Sequence, residues 1–212
     1  MADTLAPIDF YFDFSSPYGY FASTQIEALA QDLKRSVHWH PVLLGPMFKA
    51  MGSAPLVQIP LKGEYSRRDM HRTARLHQIP FQLPSPFPVA TVAAARIMLH
   101  LQQSDPQLAV RYAHRVFQAY YTQGVNISDT NCALQLAADL GEDTTPIANA
   151  IATDTIKALL RQSNEAAMAR GVFGSPFIII DDEPFWGFDH FDIIRRWTAT
   201  NTATSASAGG AA

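Results

Sequence analysis

Residues Ile8 to Tyr20 read IDFYFDFSSPYGY, and the change of period inside this stretch constrains the chain more than any other feature. Ile8, Phe10, Phe12 and Phe14 alternate with Asp9, Tyr11 and Asp13, the period of two expected of a strand with one strongly apolar face. From Tyr18 the apolar residues fall at Phe21, Ile26, Leu29, Ala30 and Leu33, a looser spacing that fits a helix packed on a sheet. Ser16 stands at the switch. Pro17 suits the first helical position, because its missing N–H would be unpaired there and its fixed φ is already helical. Ser16 is therefore the N-cap, a role that contributes about 1 kcal/mol. A strand that delivers a serine to a helix N-terminus also makes a place for an anion, and a thiolate is one such anion.

The 212 residues are 48% apolar and 17% charged, enough for one generous globular domain or two small ones. Net charge is −3 with Lys and Arg dispersed, which argues against nucleic acid or an anionic membrane as a partner. No basic-then-apolar N-terminal segment and no membrane-length apolar run is present. The single cysteine, Cys132, rules out an internal disulfide and fits a reducing compartment, so a cytoplasmic protein is expected.

Val37 to Leu44 (VHWHPVLL) alternates again, so strand, helix and strand form a βαβ unit with a parallel pair. His38 and His40 share a face of this second strand. With no carboxylate or cysteine beside them in the sequence they read as two partly exposed strand residues, and no metal is expected. Gly45 to Lys62 reads as an irregular loop whose only charges, Lys49 and Lys62, are candidates for holding a carboxylate.

Glu64 to Arg170 is helical in pattern. A charged amphipathic helix runs to Gln78, and Pro80, Pro84, Pro86 and Pro88 then punctuate a linker. An Ala-rich buried helix follows over Ala90 to Gln103. Asp105-Pro106 opens the helix Gln107 to Gln123, Asp129 caps a short one, and Thr145-Pro146 opens another; the last runs to Arg170 before Gly171. Cys132 lies inside one of these helices and reads as a buried structural thiol. Phe177 to Ile180 is a buried strand, Asp181-Asp182 a turn, and Phe185-Trp186 the start of a hairpin partner. Ser175-Pro176 is a candidate cis bond. A closing helix spans His190 to Trp197. The small-residue segment beyond cannot bury enough surface to order itself.

This order, βαβ then a helical insertion then ββα, resembles the thioredoxin fold with a large all-helical insertion, an α/β architecture. Residues 1–62 and 171–198 would form the thioredoxin-like part, 63–170 the inserted helical domain, and 199–212 a disordered tail. Ser16-Pro17-Tyr18-Gly19 occupies the place where disulfide oxidoreductases of the DsbA type carry Cys-Pro-X-Cys, and Ser175-Pro176 resembles the cis-proline turn that faces that site. Dithiol exchange needs two sulfurs, so one cysteine excludes it.

The chain resembles more closely the kappa-class glutathione transferases and especially their bacterial relatives, the 2-hydroxychromene-2-carboxylate isomerases. FDFSSPYGY, LLGPMFKAMGSAP, the helical middle and GVFGSPFIIIDDEPFWGFDHFD carry the resemblance over residues 8–197. It implies glutathione as cofactor, with Ser16 meeting its sulfur beside Pro17 and Ser175-Pro176 pairing with its cysteinyl part. Phe188 and Asp189 would lie at its γ-glutamyl end, with Ser53 and Lys62 among the glutathione-binding residues. Ser53 stands where the family usually carries asparagine, and His190 where it commonly carries arginine; a histidine cation there depends on pH. Lys49 and His190 would hold the substrate carboxylate. The implied activity is reversible thiolate-assisted isomerisation of 2-hydroxychromene-2-carboxylate in aromatic degradation, by a cytoplasmic homodimer. The alternatives are a kappa-like transferase that consumes glutathione and a non-catalytic binding module of the same fold.

Overall fold

The computed structural model describes residues 5–208, with side chains through residue 200. Strand β1 (Ile8–Phe12) pairs in parallel with β2 (Val37–Pro41), in the register Ile8↔Val37 to Phe12↔Pro41. On its other edge it pairs antiparallel with β3 (Phe177–Ile180), which in turn pairs antiparallel with β4 (Glu183–Trp186). The mixed sheet has the order β2-β1-β3-β4. Between β1 and β2 lie α1 (Pro17–Ser23) and α2 (Ile26–Asp32), where the sequence pattern predicts one unbroken helix. The break falls at Thr24-Gln25, two residues that lie outside both helices.

The segment Gly45 to Lys62, expected to be irregular, contains α3 (Leu44–Met51) and a single 3-10 turn, Leu56–Gln58. Pro46 escapes its usual penalty because it lies in the first helical turn, where its absent N–H is not needed. Gly52 then ends α3 in the left-handed conformation at φ 61°, which glycine adopts without a Cβ clash. Met47 anchors the helix in the core.

The inserted helices are α4 (Lys62–Leu76), α5 (Val92–Gln102), α6 (Pro106–Gln123), α7 (Thr130–Ala138), α8 (Thr144–Ala152) and α9 (Asp154–Ala169). Asp105, Asp129, Asp143 and Thr153 cap the last four through side-chain oxygens that accept first-turn N–H groups. Their apolar faces join one core with the sheet: Phe12 lies 5.5 Å from Phe117 of α6, ring centre to ring centre, and Phe14 lies 5.1 Å from it. The opposite face of β1 is covered as well. Tyr11 packs there with Met47 of α3, Ala167 of α9, Val172 and Phe177, so β1 is apolar-buried on both sides rather than one.

After β4 a 3-10 turn, Phe188–His190, leads into α10 (Phe191–Ala208). The helix therefore continues past Trp197 through the Ala-, Thr- and Ser-rich segment that the sequence reading places in a disordered tail. Its alanines favour helix and its threonines and serines favour it less, so the extension rests on propagation from turns already nucleated by packing. Residues 209–212 of that expected tail lie outside the described residues. Cys132 is half-buried rather than buried, because it sits on the flank of α7. No helix among the described residues is long and apolar enough to cross a membrane.

Candidate active site

β1 ends by delivering Asp13, Ser15 and Ser16 to the start of α1, and the site grows from how these are held. Ser16 has extended backbone, and its Oγ accepts the Gly19 N–H at 3.0 Å, the N-cap bond expected from the sequence. The same hydroxyl donates to the Ser175 carbonyl at 2.8 Å. Ser175-Pro176 is a cis peptide, as expected, and Ser85-Pro86 and Phe87-Pro88 are cis as well. Ser16, Pro17, Ser175 and Pro176 are thus brought together from the two ends of the chain. The Ser175 backbone N–H has no hydrogen-bond partner among the described residues.

Gly19 stands where a second cysteine would stand in a dithiol enzyme. A Cβ there would lie 2.7 Å from Ser175 Oγ, closer than real Cβ atoms are found, and 3.2 Å from Ser16 Cβ, tighter than most such contacts. Close packing of the two serines therefore disfavours any larger residue at position 19.

Asp13 is the residue that sequence reasoning passed over. Its N–H donates to Ser175 Oγ at 3.0 Å. Its buried carboxylate accepts from the N–H of Ser15 at 2.9 Å, the N–H of Leu44 at 2.8 Å and the Thr91 hydroxyl at 2.8 Å. One side chain so ties the site loop to the first residue of α3 and the residue preceding α5. Burial pushes its pKa up, and the three donors only partly oppose that. The one sequence signal for it is a carboxylate immediately before FSSP in an otherwise apolar run. Asn164 of α9 steadies the same region, accepting from Leu43 N–H at 2.9 Å and donating to Leu43 C=O at 2.8 Å.

Two elements flank α1. From α4, Asp69 accepts the Tyr18 hydroxyl at 2.6 Å and is paired on its other oxygen with Arg72. Burial, and then the Asp69 charge, raise the Tyr18 pKa far above the ordinary phenol range, so Tyr18 stays a donor. From the turn after β4, Phe188 packs 6.1 Å from Phe21 and 4.7 Å from His77. The Phe188 ring is buried in the core, which leaves only its backbone for a ligand, whereas Asp189 is exposed. Asp189 Oδ1 lies 3.5 Å from His190 Nδ1, an atom that is buried and has no hydrogen bond among the described residues. Gly187 before them has φ 112°, and a Cβ there would collide with the Asp189 carboxylate.

Lys49, Ser53 and Lys62 are exposed. Lys49 is in the last turn of α3 and Ser53 follows Gly52, both toward the end opposite the Asp13 anchor, while Lys62 is the first residue of α4. No hydrogen bond or ion pair links them to Ser16 or Ser175 among the described residues. His38 is exposed and His40 partly buried, and the carboxylate missing from their sequence neighbourhood is supplied across the parallel pair by Asp9.

A mixed sheet, a cis-proline turn and a capped strand-to-helix switch define a thioredoxin-like architecture. The DsbA-like thioredoxin domain matches residues 7–196, and the chain belongs to that family. Within it the chain is 29% identical over 192 residues to a 2-hydroxychromene-2-carboxylate isomerase of Pseudomonas sp. (strain C18), covering 89% of this chain and 88% of that one. It is 25% identical over 202 residues to glutathione S-transferase kappa 1 of Caenorhabditis elegans, covering 90% and 89%. The solved structure of a selenomethionine 2-hydroxychromene-2-carboxylate isomerase superposes with a TM-score of 0.82 at 24% identity, over 94% of this chain and 98% of that one, and so shares the fold.

Proposed function

We propose that this chain is a glutathione-dependent isomerase that interconverts 2-hydroxychromene-2-carboxylate and trans-o-hydroxybenzylidenepyruvate. The observation that carries the reading is the Ser16 hydroxyl, held at the N-terminus of α1 beside Ser175 in the position of a disulfide oxidoreductase's first sulfur. The names of the relatives support the substrate and cofactor class of this reading. The donor set fits a thiol-bearing peptide: a serine hydroxyl, a first-turn N–H at Tyr18, and the N–H of Ser175 without an internal partner.

With the ring hemiketal opened, its C2–ring-oxygen bond broken and the hydroxyl proton passed to the phenolate, bound glutathione would supply a thiolate able to add reversibly to the benzylic carbon of the conjugated ketone, so that the former double bond can rotate before the thiolate leaves unchanged. Ser16 would turn its proton from the Ser175 carbonyl toward that sulfur, stabilising the ionised form against the usual thiol pKa near 8.5. The Ser175 backbone would pair with the cysteinyl unit. Asp189 and the Phe188 backbone would meet the γ-glutamyl end, and Ser53 and Lys62 the rest of the tripeptide. Lys49 and His190 would hold the substrate carboxylate. A homodimer is proposed on resemblance alone, and a cytoplasmic location on the single cysteine as well. A second reading, conjugation of glutathione to electrophiles, is favoured by the kappa-class relative.

The test is the ultraviolet spectrum of 2-hydroxychromene-2-carboxylate with purified protein, with and without glutathione, with free thiol assayed at the end. Glutathione-dependent conversion with thiol fully recovered supports the isomerase. Thiol loss selects the transferase, and no conversion with thiol intact defeats both for this substrate.

A further inference from the structure

At the far end of β1 from Ser16, three side chains converge that the proposed reaction does not use. Asp9 of β1 pairs in register with His38 of β2, and His40 is two residues along the same strand, so both imidazoles rise on the face that carries Asp9. His40 Nε2 lies 2.8 Å and His38 Nδ1 3.7 Å from the same oxygen, Asp9 Oδ1. One donor atom from each of the three lies within 4.8 Å of the others. Donors on a tetrahedral ion with bonds of about 2.0–2.2 Å stand about 3.3–3.5 Å apart, so the observed separations bracket what an ion needs. Small rotations would admit it.

The geometry points to a divalent transition-metal site formed by His38, His40 and Asp9. Two imidazoles and one carboxylate select a borderline ion of the Ni²⁺, Cu²⁺ or Zn²⁺ kind over Mg²⁺ or Ca²⁺, which take all-oxygen sets. Its supports are already built. The His40 ring stacks on Tyr11 at 4.6 Å, and Arg170 holds the second Asp9 oxygen at 2.7 Å while also reaching the Tyr11 hydroxyl at 2.6 Å. An arginine on the outer oxygen orients the carboxylate, as partners beyond the ligands do in metal sites, and leaves Oδ1 for the ion. A depression of about 360 Å³ adjoins Asp9 and His38 and gives room for water in the remaining coordination positions. The charges facing it are Asp9, Asp181 and Asp182 against Arg170, with Arg35 bound to Asp181 at 2.6 Å. The guanidinium of Arg170 opposes an incoming cation, so moderate rather than tight binding follows.

The experiment is calorimetric titration of the full, untagged chain with Ni²⁺ in a non-coordinating buffer, alongside His38→Ala, His40→Ala and Cys132→Ser. Wild type and Cys132→Ser are expected to show one saturable site, which each histidine variant weakens about tenfold or more, the scale of losing a site's supporting group. At one Ni²⁺ concentration the melting temperature of wild type should rise more than that of His38→Ala. Absence of saturable binding, unchanged affinity in His38→Ala, or loss of binding in Cys132→Ser overturns the assignment. His38 is exposed on an edge strand, so His38→Ala keeps the test decisive if His40→Ala does not fold.

Discussion

The Ser16 hydroxyl donates its only proton to the Ser175 carbonyl, 2.8 Å away, while it accepts the Gly19 N–H. Engaging a sulfur requires that proton to turn, so this one bond separates a capping role from a catalytic one. Ser16→Ala is expected to keep the fold and lose about 10² or more in glutathione-dependent rate, the scale of one positioned donor. It also leaves the Ser175 carbonyl without its donor in a buried setting, a loss of about 1–3 kcal/mol. Rates at saturating glutathione and urea unfolding check both; an unchanged rate with a stability loss would make Ser16 a cap only.

Gly19→Ala sets helix propensity against packing. Alanine inside an exposed helix gains about 1 kcal/mol over glycine, but here its Cβ would meet Ser175 Oγ at 2.7 Å. Overpacking of about 1–3 kcal/mol is expected to win, so the variant is destabilised and slower. Ser175→Ala removes the colliding oxygen, and the pair should be more stable than the sum of the single losses predicts. A double-mutant cycle by denaturant unfolding reads that coupling.

Asp13 gives a pH dependence of definite sign. Its folded pKa is raised by burial, so the folded state holds the proton longer than the unfolded chain, which ionises near 3.9. Stability from this group is complete below that pH and is lost as pH rises through the raised folded value. In Asp13→Asn that downward slope should disappear. Unfolding free energies of both proteins from pH 4 upward, on the order of one measurement per half unit, check it; parallel profiles would refute the assignment.

Tyr18→Phe removes the 2.6 Å link from α1 to Asp69 of α4 without touching Ser16. A loss of about 1 kcal/mol is expected, because the pair is partly exposed. The Asp69–Arg72 pair remains, and the rate defect should be much smaller than that of Ser16→Ala. Steady-state kinetics of the two variants, measured side by side, decide this.

The strand, the Ser16-Pro17 cap, the Asp105 and Asp129 caps and the hairpin after Pro176 were legible because each rests on neighbours in the chain. Alternation, a proline at the first helical position and an aspartate before a helix act within a few residues. The helix α3 was not legible, since its Gly-Pro start reads as a loop until Met47 finds the core beside Tyr11 and Val42. Likewise the helix beyond Trp197 depends on a start nucleated by packing, which composition alone hides.

The sequence by itself determined the two serines, the proline beside each, and a single cysteine that forbids dithiol chemistry. Only the tertiary structure decided what those groups touch. Asp13 draws its donors from Ser15, Leu44 and Thr91, and Asp9 meets His38 and His40 only because β1 and β2 pair in one register. Hydrogen bonds and ligand clusters act over about 3 Å in space, whereas their partners here stand up to 162 positions apart along the chain, and local periodicity carries no information at that range.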